Sequence, residues 1–187
     1  MAIKLNTRKF TISEYHQIAE KGILLEDERI ELIKGEIIQM SPIGSRHAAS
    51  VRRLTQLFSQ KLGQNALISV QNPIFLGDDI SEPQPDLAIV SYRDDFYLDA
   101  HPQPQDILLL IEIADSSVVY DREVKAPLYA AAAITELWLV NLIEQRLEIY
   151  RQPAANGYQE IKYCRKNDSI SSLAFPDIAL TVAEILG

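Results

Sequence analysis

Glu112 stands in the run Ile107-Leu108-Leu109-Leu110-Ile111-Glu112-Ile113, where every neighbour is apolar. A carboxylate there is costly to ionise unless a cation, a lysine or hydrogen bonds meet it. Asp86 follows Pro85 and opens a second apolar run at 87–90. Each acid alone also has a plain structural reading: Glu112 as a strand-end carboxylate reaching water, Asp86 as the turn aspartate before a strand. As a pair they point to metal chemistry. Two neighbouring strands, each delivering one carboxylate at the same end of a sheet, make a hard-oxygen site suited to Mg²⁺ or Mn²⁺. Without a cation, two ionised carboxylates packed together repel. Lys125 adds an amine if the helix after Ser116-Ser117 packs back across the sheet, where it would orient water or stabilise charge growing on a phosphoryl oxygen. Its structural alternative is a solvated helix lysine.

The elements that must position these groups are legible in outline. Thr11 and Glu14 fit a capping box ahead of a short amphipathic helix. RIELI-KG-EIIQM reads as a hairpin around a two-residue Lys34-Gly35 turn. Ser45 is the expected N-cap of a helix to about Leu62, with Val51, Leu54, Phe58 and Leu62 at helical spacing and Gly63 closing it. Residues 66–76 suit a strand interrupted at Asn72-Pro73, and the end of PQPDLAIV forms another. Residues 91–106 read as a loop with one helical turn. The continuous apolar run 107–113 predicts a strand covered on both faces, and 137–140 has the same character. Asp121 is the expected cap of a helix to Ala133, bent or delayed by Pro127. Asn156-Gly157 marks a second hairpin between 147–150 and 158–163, and Thr181 caps a last short helix. One mixed sheet flanked by helices, in a single α/β domain over 1–187 with its core at about 46–141, is the economical architecture.

Composition narrows the class. The 187 residues are 47% apolar and 24% charged, ordinary globular values. No apolar stretch approaches the roughly 20 residues of a spanning helix, and the first residues lack a secretory h-region. Cys164 is the only cysteine, which excludes an internal disulfide framework and a Cys-cage zinc site. A soluble cytoplasmic protein with no membrane partner is expected. The net charge of −8 argues against broad adhesion to DNA. Placement matters more than the total, however. Acid concentrates between Asp78 and Asp99, while base is richer at 46–61 and 162–166.

Pro85-Asp86, then 25 residues, then Glu112-Ile113-Ala114 resembles the PD-(D/E)XK nuclease signature. More closely, ELIKGEIIQMSPIGSRHAAS, QPDLAIV, LLLIEIADSSVVYDREVKAPLYA and ITELWLVN, in that order, resemble the Uma2 family, also called DUF820, of restriction-endonuclease-like proteins common in cyanobacteria. The resemblance implies a restriction-endonuclease-like core and divalent-metal phosphodiester hydrolysis. On that pattern Asp86 matches the motif aspartate and Glu112 the (D/E). Ala114 stands where the usual lysine would be, and Lys125 matches its displaced position on the following helix. The resemblance also implies the backbone carbonyl of Ile113 as a metal ligand. His47 and Glu36 match recurrent family positions; His47 would orient a phosphate or a water, or simply make a structural hydrogen bond. Ala132-Ala133, Glu136-Leu137-Trp138 and Asn141 depart from the family's usual Ala-Gly, Glu-Tyr-Trp and aspartate, changes that touch packing more than the metal site.

The expectation is therefore a Mg²⁺- or Mn²⁺-dependent DNA endonuclease using Asp86, Glu112 and Lys125. A non-catalytic module binding nucleic acid or protein on the same fold is the alternative, and a hydrolase of another phosphoester would share the site. By analogy with nucleases of this fold, a homodimer is expected.

Overall fold

Thr11 and Glu14 close the capping box that starts helix α1 (Ile12–Glu20): the Glu14 N–H donates to Thr11 Oγ1 at 3.2 Å and the Thr11 N–H donates to Glu14 Oε2 at 3.1 Å. The computed structural model describes residues 7–25 and 27–187. Strands β1 (Ile30–Ile33) and β2 (Glu36–Gln39) form the expected hairpin. Lys34 and Gly35, at φ 50 and 77, make a turn that matches strand twist. Gly35 is required twice over, because a Cβ there would meet Lys9 Cβ at 2.5 Å.

Helix α2 (Ser45–Leu62) starts at its expected cap residue, one residue earlier than foreseen: Gly44 holds the N-cap position without a side-chain hydrogen bond, and Ser45 is already helical. Gly63, at φ 54, ends it.

A six-stranded sheet follows, built from β3 (Ala66–Val70), β4 (Leu87–Ser91), β5 (Ile107–Ala114), β6 (Glu136–Asn141), β7 (Arg146–Ala154) and β8 (Gly157–Cys164), adjacent in that order. All pairs are antiparallel except β5 and β6. A parallel pair needs a crossover. Here it is the helical segment 118–131, composed of α3 (Val118–Tyr120), a π-turn (Asp121–Lys125) and α4 (Ala126–Ala131). This corrects the expected start at Asp121. Pro127 has no N–H and its ring crowds the carbonyl four residues back. The turn before it widens, so that the Ala126 N–H donates to Asp121 O, five residues back.

The central strands β4, β5 and β6 are buried on both faces. On one face Leu54, Phe58 and Leu62 of α2 meet Leu109, Ile111, Trp138 and Val140; on the other, Leu128 and Tyr129 of α4 meet Leu110, Leu137 and Leu139. That is why β5 and β6 read as nearly unbroken apolar runs. Two further boundaries move. Gln71, at φ 53, ends β3 before the expected break at Asn72. In the second hairpin the turn residues are Ala155-Asn156, with Gly157 already paired to Ala154. Short strands β9 (Ser169–Ile170) and β10 (Leu180–Thr181) precede α5 (Val182–Leu186), capped by Thr181 as expected.

Candidate active site

Antiparallel pairing of β4 with β5 sets Leu87 opposite Ile111, so Asp86, just ahead of β4, comes beside Glu112 near the end of β5. The Asp86 N–H donates to Glu112 Oε2 at 3.3 Å, and the Ile113 N–H donates to Asp86 Oδ2 at 2.9 Å. A strand residue's carbonyl faces the same side as its N–H, so the Ile113 carbonyl opens toward Asp86. Two side chains complete the hold on Asp86: His47 Nε2, 2.9 Å from Oδ2, and Gln71 Nε2, donating to Oδ1 at 3.1 Å. An ionised carboxylate only accepts, which makes Nε2 the protonated nitrogen of His47. His47 Nδ1 is buried and has no partner among the described residues.

Lys125 reaches this pair from the π-turn. Its Nζ lies 3.2 Å from Glu112 Oε1 and 3.3 Å from Glu31 Oε2. Tyr129, one turn on, donates to Glu112 Oε1 at 2.6 Å. Glu31, in β1, is fully buried; its carboxylate also accepts from the Tyr120 hydroxyl and the Gln84 N–H, both at 3.1 Å. Asp121 sits on the same wall, with Ser117 Oγ donating to it at 2.6 Å. Glu31, His47, Asp86, Glu112, Asp121 and Lys125 line a cavity of about 400 Å³, open to solvent and flanked by the 40–44 and 115–117 loops.

One buried ammonium thus serves four neighbouring acids, and the charges divide unequally. Burial pushes Glu112 up to about 8, and the Asp86 charge adds to this against the pull of Lys125. Burial also works on Asp86, but the His47 and Ile113 hydrogen bonds outweigh it and hold that carboxyl below its usual range. Asp121 is pushed by burial to about 6. Burial disfavours the Lys125 ammonium, yet Glu112 and Glu31 more than compensate and raise it.

The donor set suits a hard divalent cation. Asp86, Glu112 Oε2 and the Ile113 carbonyl offer oxygen alone, at a spot with more acid than base. Among the described residues no three His, Cys, Asp or Glu side chains converge to hold a metal by themselves. Mg²⁺, which keeps several waters and is held by one or two carboxylates plus substrate phosphate, fits that arrangement.

A model of the Uma2 family, described as "Putative restriction endonuclease", matches residues 12–183. The chain belongs to the Uma2 family. Among solved structures, this Uma2 chain is similar to a crystal structure of "a putative nuclease belonging to DUF820" from Anabaena variabilis ATCC 29413. The TM-score is 0.70 at 17% identity, over 95% of this chain and 97% of that one, and the likeness shows a shared fold. No curated protein matches.

Of the residues singled out in the sequence of this Uma2 protein, Asp86, Glu112, Lys125, His47 and the Ile113 backbone come together. Glu36 does not: it lies on the exposed side of β2, paired with Lys9, away from the cavity. Sequence reasoning missed Glu31, Asp121 as a cavity acid, and Tyr129. Glu31 did carry a signal, since in Ile30-Glu31-Leu32-Ile33 it is an acid among apolar strand residues, the same anomaly that marked Glu112. Tyr129 carried none, because an aromatic on an apolar helix face reads as core.

Proposed function

We propose that this Uma2 protein hydrolyses phosphodiester bonds of DNA with Mg²⁺ or Mn²⁺, as a PD-(D/E)XK-type endonuclease with a displaced lysine. The observation that supports it is the convergence of Asp86, Glu112 and Lys125, from three separate elements, in one cavity. In this reading Asp86, Glu112 and the Ile113 carbonyl hold the cation. When bound, it supplies Lewis-acid polarisation of the phosphate and lowers the pKa of water.

The chain's own residues do the rest. His47 and Gln71 fix both Asp86 oxygens, so the carboxylate enters the reaction without reorganising. Tyr129 and Lys125 hold Glu112 Oε1 and leave Oε2 turned toward Asp86. The Lys125 ammonium stabilises the negative charge that grows on a phosphoryl oxygen, and burial strengthens that attraction.

The test is cleavage of supercoiled and single-stranded DNA with Mg²⁺ or Mn²⁺ by the wild type and by Asp86→Ala, Glu112→Ala and Lys125→Ala. Activity in the wild type alone supports the proposal. Equal activity in all four overturns it and identifies a contaminating nuclease. One observation favours a non-catalytic binding module instead: two of the three Lys125 N–H donors are already engaged by Glu112 and Glu31. Calorimetry with Mn²⁺ separates the two, since that module needs no divalent cation.

A further inference from the structure

Strand β8 lies at one side of the six-stranded sheet, paired with β7; among the described residues no strand covers its outer edge. Such an edge presents a row of unpaired N–H and C=O groups that templates another strand. Five consecutive residues of β8, Gln159-Glu160-Ile161-Lys162-Tyr163, are exposed, with Ile161 at 45% and Tyr163 at 56%. The opposite edge strand, β3, differs. Its five residues are buried or half-buried, although a helix packs against each edge strand, α2 on β3 and α4 on β8.

The exposed segment is self-complementary. Antiparallel pairing of two copies about a two-fold axis at Ile161 places Ile161 against its own counterpart. It also sets Glu160 of each copy opposite Lys162 of the other, and Gln159 opposite Tyr163. Moving the axis to Glu160 or to Lys162 brings two like charges face to face, which destabilises an antiparallel pair. Axes midway between residues oppose Ile161 to Glu160 or to Lys162. Only the Ile161 register matches both charges and the apolar centre. Glu160 is free for this role but for a 3.1 Å hydrogen bond from Gln152 on the exposed surface.

We propose that the outer edge of β8 is an interface for a second copy of this chain, joining two sheets into one continuous antiparallel sheet centred on Ile161. The surface lies outside the cavity lined by Asp86 and Glu112, so the proposal stands whether or not the protein cleaves DNA.

Light scattering on the full chain, with the wild type, Glu160→Lys, Lys162→Glu and the exchanged double variant, decides the matter. The wild type is expected to be dimeric. Each single reversal puts two like-charge pairs in the interface and is expected to weaken the dimer by at least about tenfold, and the exchange restores it. These positions are exposed, so unchanged thermal melts accompany the result. A monomeric wild type overturns the proposal. A dimer indifferent to the single reversals, or one that the exchange fails to restore, overturns it equally.

Discussion

The backbone N–H of Asp86 donates to the Glu112 carboxylate, 3.3 Å away, tying the residue before one strand to the buried acid of its neighbour. The Ile113 N–H returns the tie to Asp86 at 2.9 Å. Replacing Asp86 with alanine strands that N–H together with His47 Nε2 and Gln71 Nε2. Asp86→Ala is therefore expected to lose about 2 kcal/mol of stability by urea unfolding, whereas Asp86→Asn loses less. Both variants are expected to lose DNA cleavage by at least about 10²-fold.

Glu112 ties stability to pH. Its ordinary value is 4.5 and burial raises it to about 8 in the folded chain. Between those values the folded state holds a proton that the unfolded state has released, so this group's contribution to stability falls as pH rises from about 4.5 through about 8. Gln mimics the protonated form. The stability of Glu112→Gln relative to wild type is expected to grow across that window by a few kcal/mol in metal-free buffer and to level off above it. Urea unfolding at a series of pH values checks this, and a flat difference would contradict the raised value.

Glu31 shares the Lys125 ammonium with Glu112 and accepts from Tyr120 and Gln84 as well. Glu31→Ala leaves a buried cation with one carboxylate fewer and strands two donors. It is expected to cost about 3 kcal/mol or more in urea unfolding. Glu31→Gln, which still accepts hydrogen bonds, costs less.

Arg122 anchors the π-turn from its other side. Its Nε donates to Glu148 at 2.9 Å, and Glu148 accepts further from Tyr150 at 2.8 Å, Arg146 at 3.1 Å and Asn141 at 3.2 Å. Burial opposes ionisation of Glu148, but these donors prevail and bring it down to about 2. A depressed carboxyl stabilises above its ordinary 4.5, and that contribution is lost as pH falls toward 2. Arg122→Ala is expected to lose about 2 kcal/mol at pH 7, with the gap to wild type narrowing below pH 4.5. Thermal melts between pH 7 and pH 2 measure it.

Local patterns in the chain determined a good deal. The Thr11–Glu14 capping box, the Thr181 cap, the Lys34-Gly35 turn, the helix closed by Gly63 and the doubly covered strands β5 and β6 follow from hydrogen bonding, left-handed backbone geometry and burial over a few residues. Glu112 was legible because ionisation is unfavourable in an apolar strand wherever that strand is placed. Tertiary structure decided what depends on long-range pairing. The β4–β5 register put Asp86 next to Glu112. The π-turn ahead of Pro127 aimed Lys125 into the cavity, and the hairpin lying over the sheet carried Glu31 to the far side of the same ammonium while leaving Glu36 outside. Residue type and periodicity show that a side chain is buried or charged; which other charge it meets is settled only when strands far apart in sequence pair and a helix packs across them.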